Sequence, residues 1–132
     1  MGPLQGIKIL EFSGIGPGPY CGMLLADLGA DVIRLNRKDQ KGVENKYDIH
    51  NRSKRSITAD LKDPNVTEQI LNLIKQMDVV FEGFRPGVME KLGLGPEDCL
   101  KINESLVYGR MTGWGQDGPM AKQAAVSYTH LT

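Results

Sequence analysis

Short apolar runs alternate with stretches of helical spacing along most of the chain. The runs are rich in Val, Ile and Leu and have the length of strands, which predicts strands over residues 7–12, 31–35, 56–61, 79–82 and 106–111. Prolines at first helical positions and apolar residues at helical spacing predict helices over residues 19–28, 64–77, 88–92 and 96–103. Alternating strands and helices are typical of βαβ units. The pattern therefore predicts an α/β fold, a Rossmann-like parallel sheet with helices on both faces.

The loops that follow the five strands are expected to share one edge of this sheet, because parallel strands all end on the same side. They comprise residues 13–18, 36–37, 60–62, 83–87 and 112–115. We call this edge the strand-end rim. Open parallel sheets bind their ligands there, so we expect the binding site at the rim.

Composition excludes several classes of protein. The 132 residues carry 16 Lys and Arg against 16 Asp and Glu, and 40% are hydrophobic, which is typical of a globular domain without a basic arm for nucleic acid. No apolar run approaches the roughly 20 residues of a membrane span. We therefore expect no membrane partner and a cytoplasmic location, or a mitochondrial or peroxisomal one in a eukaryotic host. Cys21 and Cys99 lack metal-ligand spacing, which predicts no metal site and two reduced, largely buried thiols.

A basic segment in the middle of the chain points to an anionic ligand. Residues 34–62 hold nine basic and four acidic side chains, although the whole chain is neutral. A focused positive edge suits a small molecule with several phosphates. Arg37 follows the second predicted strand, where an arginine can form two hydrogen bonds to a phosphate. The alternative is a solvated loop whose lysines contact nothing.

The glycine-rich turn of residues 14–19 departs from the dinucleotide fingerprint. Pro19 occupies the position of the third glycine, and Asn36 and Arg37 replace the acidic residue that binds the ribose. A tight turn that packs the helix close to the sheet accounts equally well for these glycines. An NADP-type nucleotide-binding module without catalytic function remains an alternative.

Seven ordered segments resemble the amino-terminal part of the class III CoA-transferase superfamily. They are residues 4–11, 16–19, 25–34, 51–56, 59–62, 82–87 and 113–119. Three further stretches, residues 15–19, 89–96 and 110–113, are similar to the α-methylacyl-CoA racemase branch in particular. The likeness covers residues 3–124 and implies an acyl-CoA ligand, no cofactor beyond the CoA moiety, and an interlocked homodimer for the full-length protein.

The resemblance also assigns roles to individual residues. Arg37 would meet the phosphorylated adenosine, and Arg85 and Lys91 would serve the diphosphate. The turn formed by Ala59, Asp60, Leu61 and Lys62 would hold the nucleotide end. Family members often have arginine in place of Lys91, and lysine keeps the charge but not the two-pronged hydrogen bonding. For Lys54 and Arg55, salt bridges across the long loop and contact with CoA remain equal alternatives.

The catalytic motif of these racemases is missing. They remove the C2 proton with a His/Asp pair in a Gly-His-Asp-Ile-Asn-Tyr motif, and a second acid returns a proton to the other face. Residues 125–132 do not match this motif, and neither His130 nor His50 is expected to be the base. We therefore predict a CoA-binding domain over residues 1–124, a disordered or foreign tail over 125–132, no catalytic residue, and an inactive fragment.

Two functional hypotheses follow from the resemblance. The first is the CoA-binding part of a racemase that epimerises 2-methylacyl-CoA at C2. The second is part of a CoA-transferase that moves CoA between carboxylic acids, with a carboxylate nucleophile beyond residue 124.

Overall fold

The computed structural model describes residues 2–38 and 47–125, which form a five-stranded, wholly parallel sheet. The strands are β1 (Lys8–Phe12), β2 (Asp31–Arg37), β3 (Arg55–Ala59), β4 (Val79–Glu82) and β5 (Val107–Arg110). Their order across the sheet is β3-β2-β1-β4-β5. This confirms the predicted α/β fold and brings the predicted rim loops to one edge.

Four helices and a short 3-10 turn connect the strands. The helices are α1 (Pro17–Asp27), α2 (Pro64–Ile74), α3 (Val88–Lys91) and α4 (Pro96–Ile102), and the 3-10 turn covers Ile49–Asn51. Helix α1 begins two residues before its predicted start, because Pro17 already occupies a first-turn position and Gly16, with φ of 75°, turns the chain into the helix. Helix α2 begins as predicted, after Asp63, whose side chain accepts a hydrogen bond from the Asn65 N–H.

The helices cover both faces of the sheet unequally. On one face, Leu10, Leu35 and Val80 pack against α2, α3 and α4 in the larger buried cluster. On the other face, a smaller cluster joins Ile9 and Val32 to α1 and the segment that follows it. Alternate residues of a strand point to opposite faces, so the three central strands, β1, β2 and β4, contribute to both clusters.

Strand β2 extends to Arg37, two residues beyond the predicted end, while β3 stops at Ala59 instead of residue 61. Arg37 pairs with Ala59 in the parallel ladder, so backbone pairing carries β2 past its apolar run. Leu61 leaves the strand and packs into the larger cluster from the turn after β3. These changes place Arg37 beside the start of the turn at residues 60–62.

The two cysteines are both free but differ in burial. Cys99 is fully buried, and this burial raises the pKa of its thiol to about 11. Cys21 is only half-buried, which corrects the prediction of two buried thiols. Helix α1 packs on the sheet through Gly22, Met23 and Ala26, and Cys21 lies at the side of that contact. Among the described helices, none is long and apolar enough to cross a bilayer.

Candidate functional site

The end of β3 and the turn that leads to α2 contain four of the predicted site residues. Ala59 ends the strand, and the Asp60 carboxylate accepts a hydrogen bond from the backbone N–H of Lys62 at 3.1 Å. Leu61 is buried and anchors the turn to the core, while Lys62 is exposed. Asp60 and Leu61 therefore shape the turn, and Lys62 is the member that presents a charge to solvent.

An open cleft of about 530 Å³ lies between this turn and the end of α3. It is lined by Leu61, Lys62, Pro64, Thr67, Lys91, Leu92 and Gly93. The cleft thus brings together three predicted site residues, Leu61 and Lys62 from the turn and Lys91 from α3. The first turn of α2 forms part of its wall, and the positive end of a helix dipole favours an anion there.

Arg37 lies at the neighbouring strand end, outside the residues that line the cleft. Its guanidinium carbon is 5.5 Å from the centre of the Phe84 ring, in the geometry of a cation–π contact. The Phe84 ring in turn packs edge-on against Phe12, with ring centres 6.3 Å apart. An aromatic pair that sequence reasoning did not identify therefore supports the Arg37 side chain.

Arg85 lies in the turn after β4 and is exposed, and it does not line the cleft. Within residues 2–38 and 47–125, the side chains of Lys62, Arg85 and Lys91 form no ion pair. Cations that are not neutralised by the protein are available to an anionic ligand. Three cations among the predicted site residues thus have no carboxylate partner in the described part of the chain.

Much of the basic segment has a structural role instead. Lys54 pairs with Glu11, Arg55 with Asp31 and Arg52 with Asp27. These contacts support the salt-bridge alternative for Lys54 and Arg55. They also reduce the positive charge that the segment presents to the rim, which the count of residues had overstated.

A buried ion pair joins Glu11 to Lys54 beneath α1. The Lys54 Nζ lies 2.7 Å from a Glu11 carboxylate oxygen, with the two side chains 1% and 0% exposed. The same ammonium donates a hydrogen bond to the Pro19 carbonyl at 2.9 Å. A Cβ on Gly22 would lie 2.0 Å from a Glu11 oxygen, so only glycine permits this close approach of helix and strand. Gly22, and not the turn glycines, is where the helix passes closest to the sheet.

Arg34 adds a second link on this face of the sheet. It is the register partner of Glu11 and donates hydrogen bonds to the Ser13 hydroxyl at 3.1 Å and the Asn51 amide oxygen at 2.7 Å. Together with Lys54, it ties the segment before β3 to the start of the glycine-rich turn. A glutamate inside an apolar strand was the signal in the sequence that could have revealed this network.

A second carboxylate is buried on the opposite face, at the end of β4. Glu82 accepts hydrogen bonds from the Phe84 N–H at 2.7 Å and from the Arg110 Nε at 3.1 Å. Arg110 also pairs with Glu90 at 2.7 Å. Burial raises the pKa of Glu82 above its usual range, whereas the hydrogen bond from Arg110 lowers the pKa of Glu90. The cluster fixes the backbone of the turn that carries Phe84 and Arg85.

We expect the replacement Glu82→Gln to reduce stability more at low pH than at neutral pH. Because the pKa of Glu82 is raised in the folded state, the fold takes up a proton while the unfolded chain is still ionised. This contribution is complete below the ordinary pKa of 4.5 and is lost as the pH rises through the folded-state value. Urea unfolding of both proteins between about pH 7 and about pH 4.5 measures the difference. If the difference in unfolding free energy between the two proteins shrinks as the pH falls, the pKa of Glu82 is not raised in the folded state.

The residues described offer no metal site, since none of their His, Cys, Asp and Glu side chains form a group of three or more that could hold an ion. His50 lies in the 3-10 turn, 3.4 Å from Asp48 and edge-on to Tyr20. It does not line the cleft. Residues 126–132, including His130, lie outside the described residues, as does most of the predicted tail.

Sequence comparisons with known proteins identify one family. The sequence model described as CoA-transferase family III matches residues 4–130. Human α-methylacyl-CoA racemase is 44% identical over 130 residues, which cover 97% of this chain and 33% of the racemase. Human succinyl-CoA:glutarate CoA-transferase is 37% identical over 134 residues, which cover 92% of this chain and 31% of the transferase.

A solved structure extends this agreement to the fold. The crystal structure of Rv3272 from Mycobacterium tuberculosis superposes with a TM-score of 0.86 at 38% identity, over 94% of this chain and 37% of that protein. The chain spans about a third of the length of the curated relatives it matches. Because the family model covers nearly every residue and the sheet superposes on a solved relative, the chain belongs to CoA-transferase family III.

Proposed function

We propose that this chain is the CoA-binding part of an α-methylacyl-CoA racemase. The observation that carries the proposal is the cleft at the strand-end rim, where Lys62 and Lys91 face the same space without partner carboxylates among the residues described. A thioester of CoA carries several phosphates, which suit such a pair of cations. Identity of 44% to the human racemase, against 37% to the human transferase, favours the racemase over the transferase.

The proposed placement of CoA follows the order of the strand ends. Arg37 binds the phosphate on the adenosine, and the turn at residues 59–62 holds the nucleotide beside it, since Arg37 and Ala59 are register partners. Lys91, on the far side of the cleft, binds the diphosphate together with Arg85. The acyl group would then extend from this end of the ligand towards the residues that perform the chemistry.

The reaction proposed for the whole enzyme is epimerisation at C2 of a 2-methylacyl-CoA. Removal of the weakly acidic C2 proton needs a base whose pKa lies near the working pH and fixed donors for the enolate oxygen. The described residues place no histidine in the cleft, so we assign to them the binding and orientation of the thioester and not the proton transfer. The interlocked homodimer and the cytoplasmic location stay predictions.

Lys62→Ala and Lys91→Ala are each expected to weaken CoA binding by about threefold to tenfold, because each removes a charged contact at a partly exposed site. Isothermal titration with CoA measures the dissociation constants. Lys75→Ala is the matched control, since Lys75 is also exposed but lies just past the opposite end of α2 and contacts Asn72. An equal effect of all three replacements would contradict the proposed cleft.

The NADP-type alternative is tested in the same experiment. A nucleotide module of that kind would bind NADPH more tightly than CoA, and it would lose NADPH affinity when Lys62 is replaced. We expect the opposite preference, so that the chain binds CoA much more tightly than it binds NADPH.

A further inference from the structure

Phe84, in the loop after β4, is held by contacts of both its backbone and its ring. Its backbone N–H donates a 2.7 Å hydrogen bond to the buried Glu82 carboxylate, which Arg110 holds from the other side. Its ring packs edge-on against Phe12 of β1, at an interplanar angle of 74°. Both the backbone and the ring of Phe84 are therefore fixed by buried groups.

The other feature of this loop is the contact with Arg37. The guanidinium carbon of Arg37 lies 5.5 Å from the centre of the Phe84 ring. Arg37 is the last residue of β2 and is half-buried, so an aromatic face beside its guanidinium restricts the directions in which the group can point. A cation–π contact leaves the charge of the guanidinium in place, so Arg37 can still attract an anion at the edge of that group.

We propose that Phe84 is a positioning residue for Arg37, and that it sets the preference of the site for a ligand phosphorylated on its adenosine. This inference rests on the proposed function, because it takes the ligand of Arg37 to be that phosphate. Phe84 itself makes no contact with the phosphate. It acts by holding the guanidinium, through a ring that β1 and Glu82 keep in place.

Comparison of CoA with dephospho-CoA isolates the contribution of the phosphate on the adenosine. Loss of the ring frees Arg37, which reduces the affinity for CoA but leaves the affinity for dephospho-CoA almost unchanged, because dephospho-CoA lacks the phosphate that Arg37 would bind. A purely structural role of Phe84 would lower the affinity for both ligands by the same factor. The ratio of the two dissociation constants is therefore the informative quantity.

The test compares Phe84→Leu with Phe84→Tyr by titration of the full chain with CoA and with dephospho-CoA. We expect Phe84→Leu to reduce the preference for CoA by about twofold to thirtyfold, the range of a cation–π contact, and Phe84→Tyr to retain it. Arg37→Ala should abolish the preference, and adding Phe84→Leu to it should cause no further loss, because the ring then has no guanidinium to position.

Three results would overturn the inference. If Phe84→Leu weakens the binding of both ligands by the same factor, the ring has only a structural role, and the proposed CoA site stands. If the unmodified chain binds CoA but does not prefer it to dephospho-CoA, Arg37 does not bind the phosphate, and again the CoA site stands. If the unmodified chain binds neither ligand, both the inference and the proposed function are wrong.

Discussion

Replacing Lys54 with Met is expected to lower the free energy of unfolding by about 3–5 kcal/mol, because it leaves the Glu11 carboxylate buried without a counter-charge. Glu11 is fully buried, and burial already raises the pKa of its carboxyl despite the nearby Lys54. Methionine has nearly the volume of lysine, so the change removes the charge and the hydrogen bond to Pro19 without opening a large cavity. Urea unfolding at neutral pH measures the loss.

Two further variants separate the lost charge from a general effect of the substitution. Lys75→Met removes an exposed lysine and should change the stability by less than about 0.5 kcal/mol. Combining Lys54→Met with Glu11→Gln should recover part of the loss, because no uncompensated charge is then left in the core. If Lys54→Met costs no more than Lys75→Met, the buried pair is not a stabilising feature of the fold.

The second large effect is expected on ligand affinity. Arg37→Ala should weaken CoA binding by about 1.5–3 kcal/mol, or roughly tenfold to 150-fold, because a charged hydrogen bond to phosphate is lost. Isothermal titration of both proteins with CoA gives the ratio. The stability should change little, since Arg37 lies at the end of β2 and is only half-buried.

Arg55→Ala is the matched control for this replacement. Arg55 is also an arginine of the sheet, but it starts β3 at the edge opposite the rim and pairs with Asp31. Its removal should leave CoA affinity within about twofold of the unmodified chain, because it contacts no part of the proposed ligand. A loss for Arg55→Ala equal to that for Arg37→Ala would place the ligand elsewhere.

The parallel α/β topology could be predicted from the sequence because β1, β3 and β4 are each followed by a segment that a proline or helical spacing marks as a helix. Asp63 and Pro64 mark the start of α2 in the sequence, and the helix begins there in the structure. The end of β2 could not be predicted in the same way. Arg37 is in the strand because its backbone pairs with Ala59, and pairing between strands is not encoded in local apolar periodicity.

The structure brings only some of the predicted site residues together in one cleft, and the reason is their position in the fold. Lys62 and Lys91 line one cleft because the β3–α2 turn and the end of α3 meet in space. Arg85 does not line it. A count of charges between residues 34 and 62 could not distinguish Lys62 from Lys54 and Arg55, because the carboxylate partners of those two, Glu11 and Asp31, lie more than 20 residues away in the sequence. The aromatic support of Arg37 escaped the sequence for the same reason, since Phe84 belongs to a loop two strands away across the sheet.

The position of CoA on the chain is tested most directly by recording amide resonances of the isotopically labelled protein during a titration with CoA. We expect the shifts to be concentrated at Arg37, at residues 59–62, and at Arg85 and Lys91, with smaller shifts at the opposite edge of the sheet around Arg55. Saturation by CoA at millimolar concentration without shifts at the rim, or no saturation at all, would contradict it.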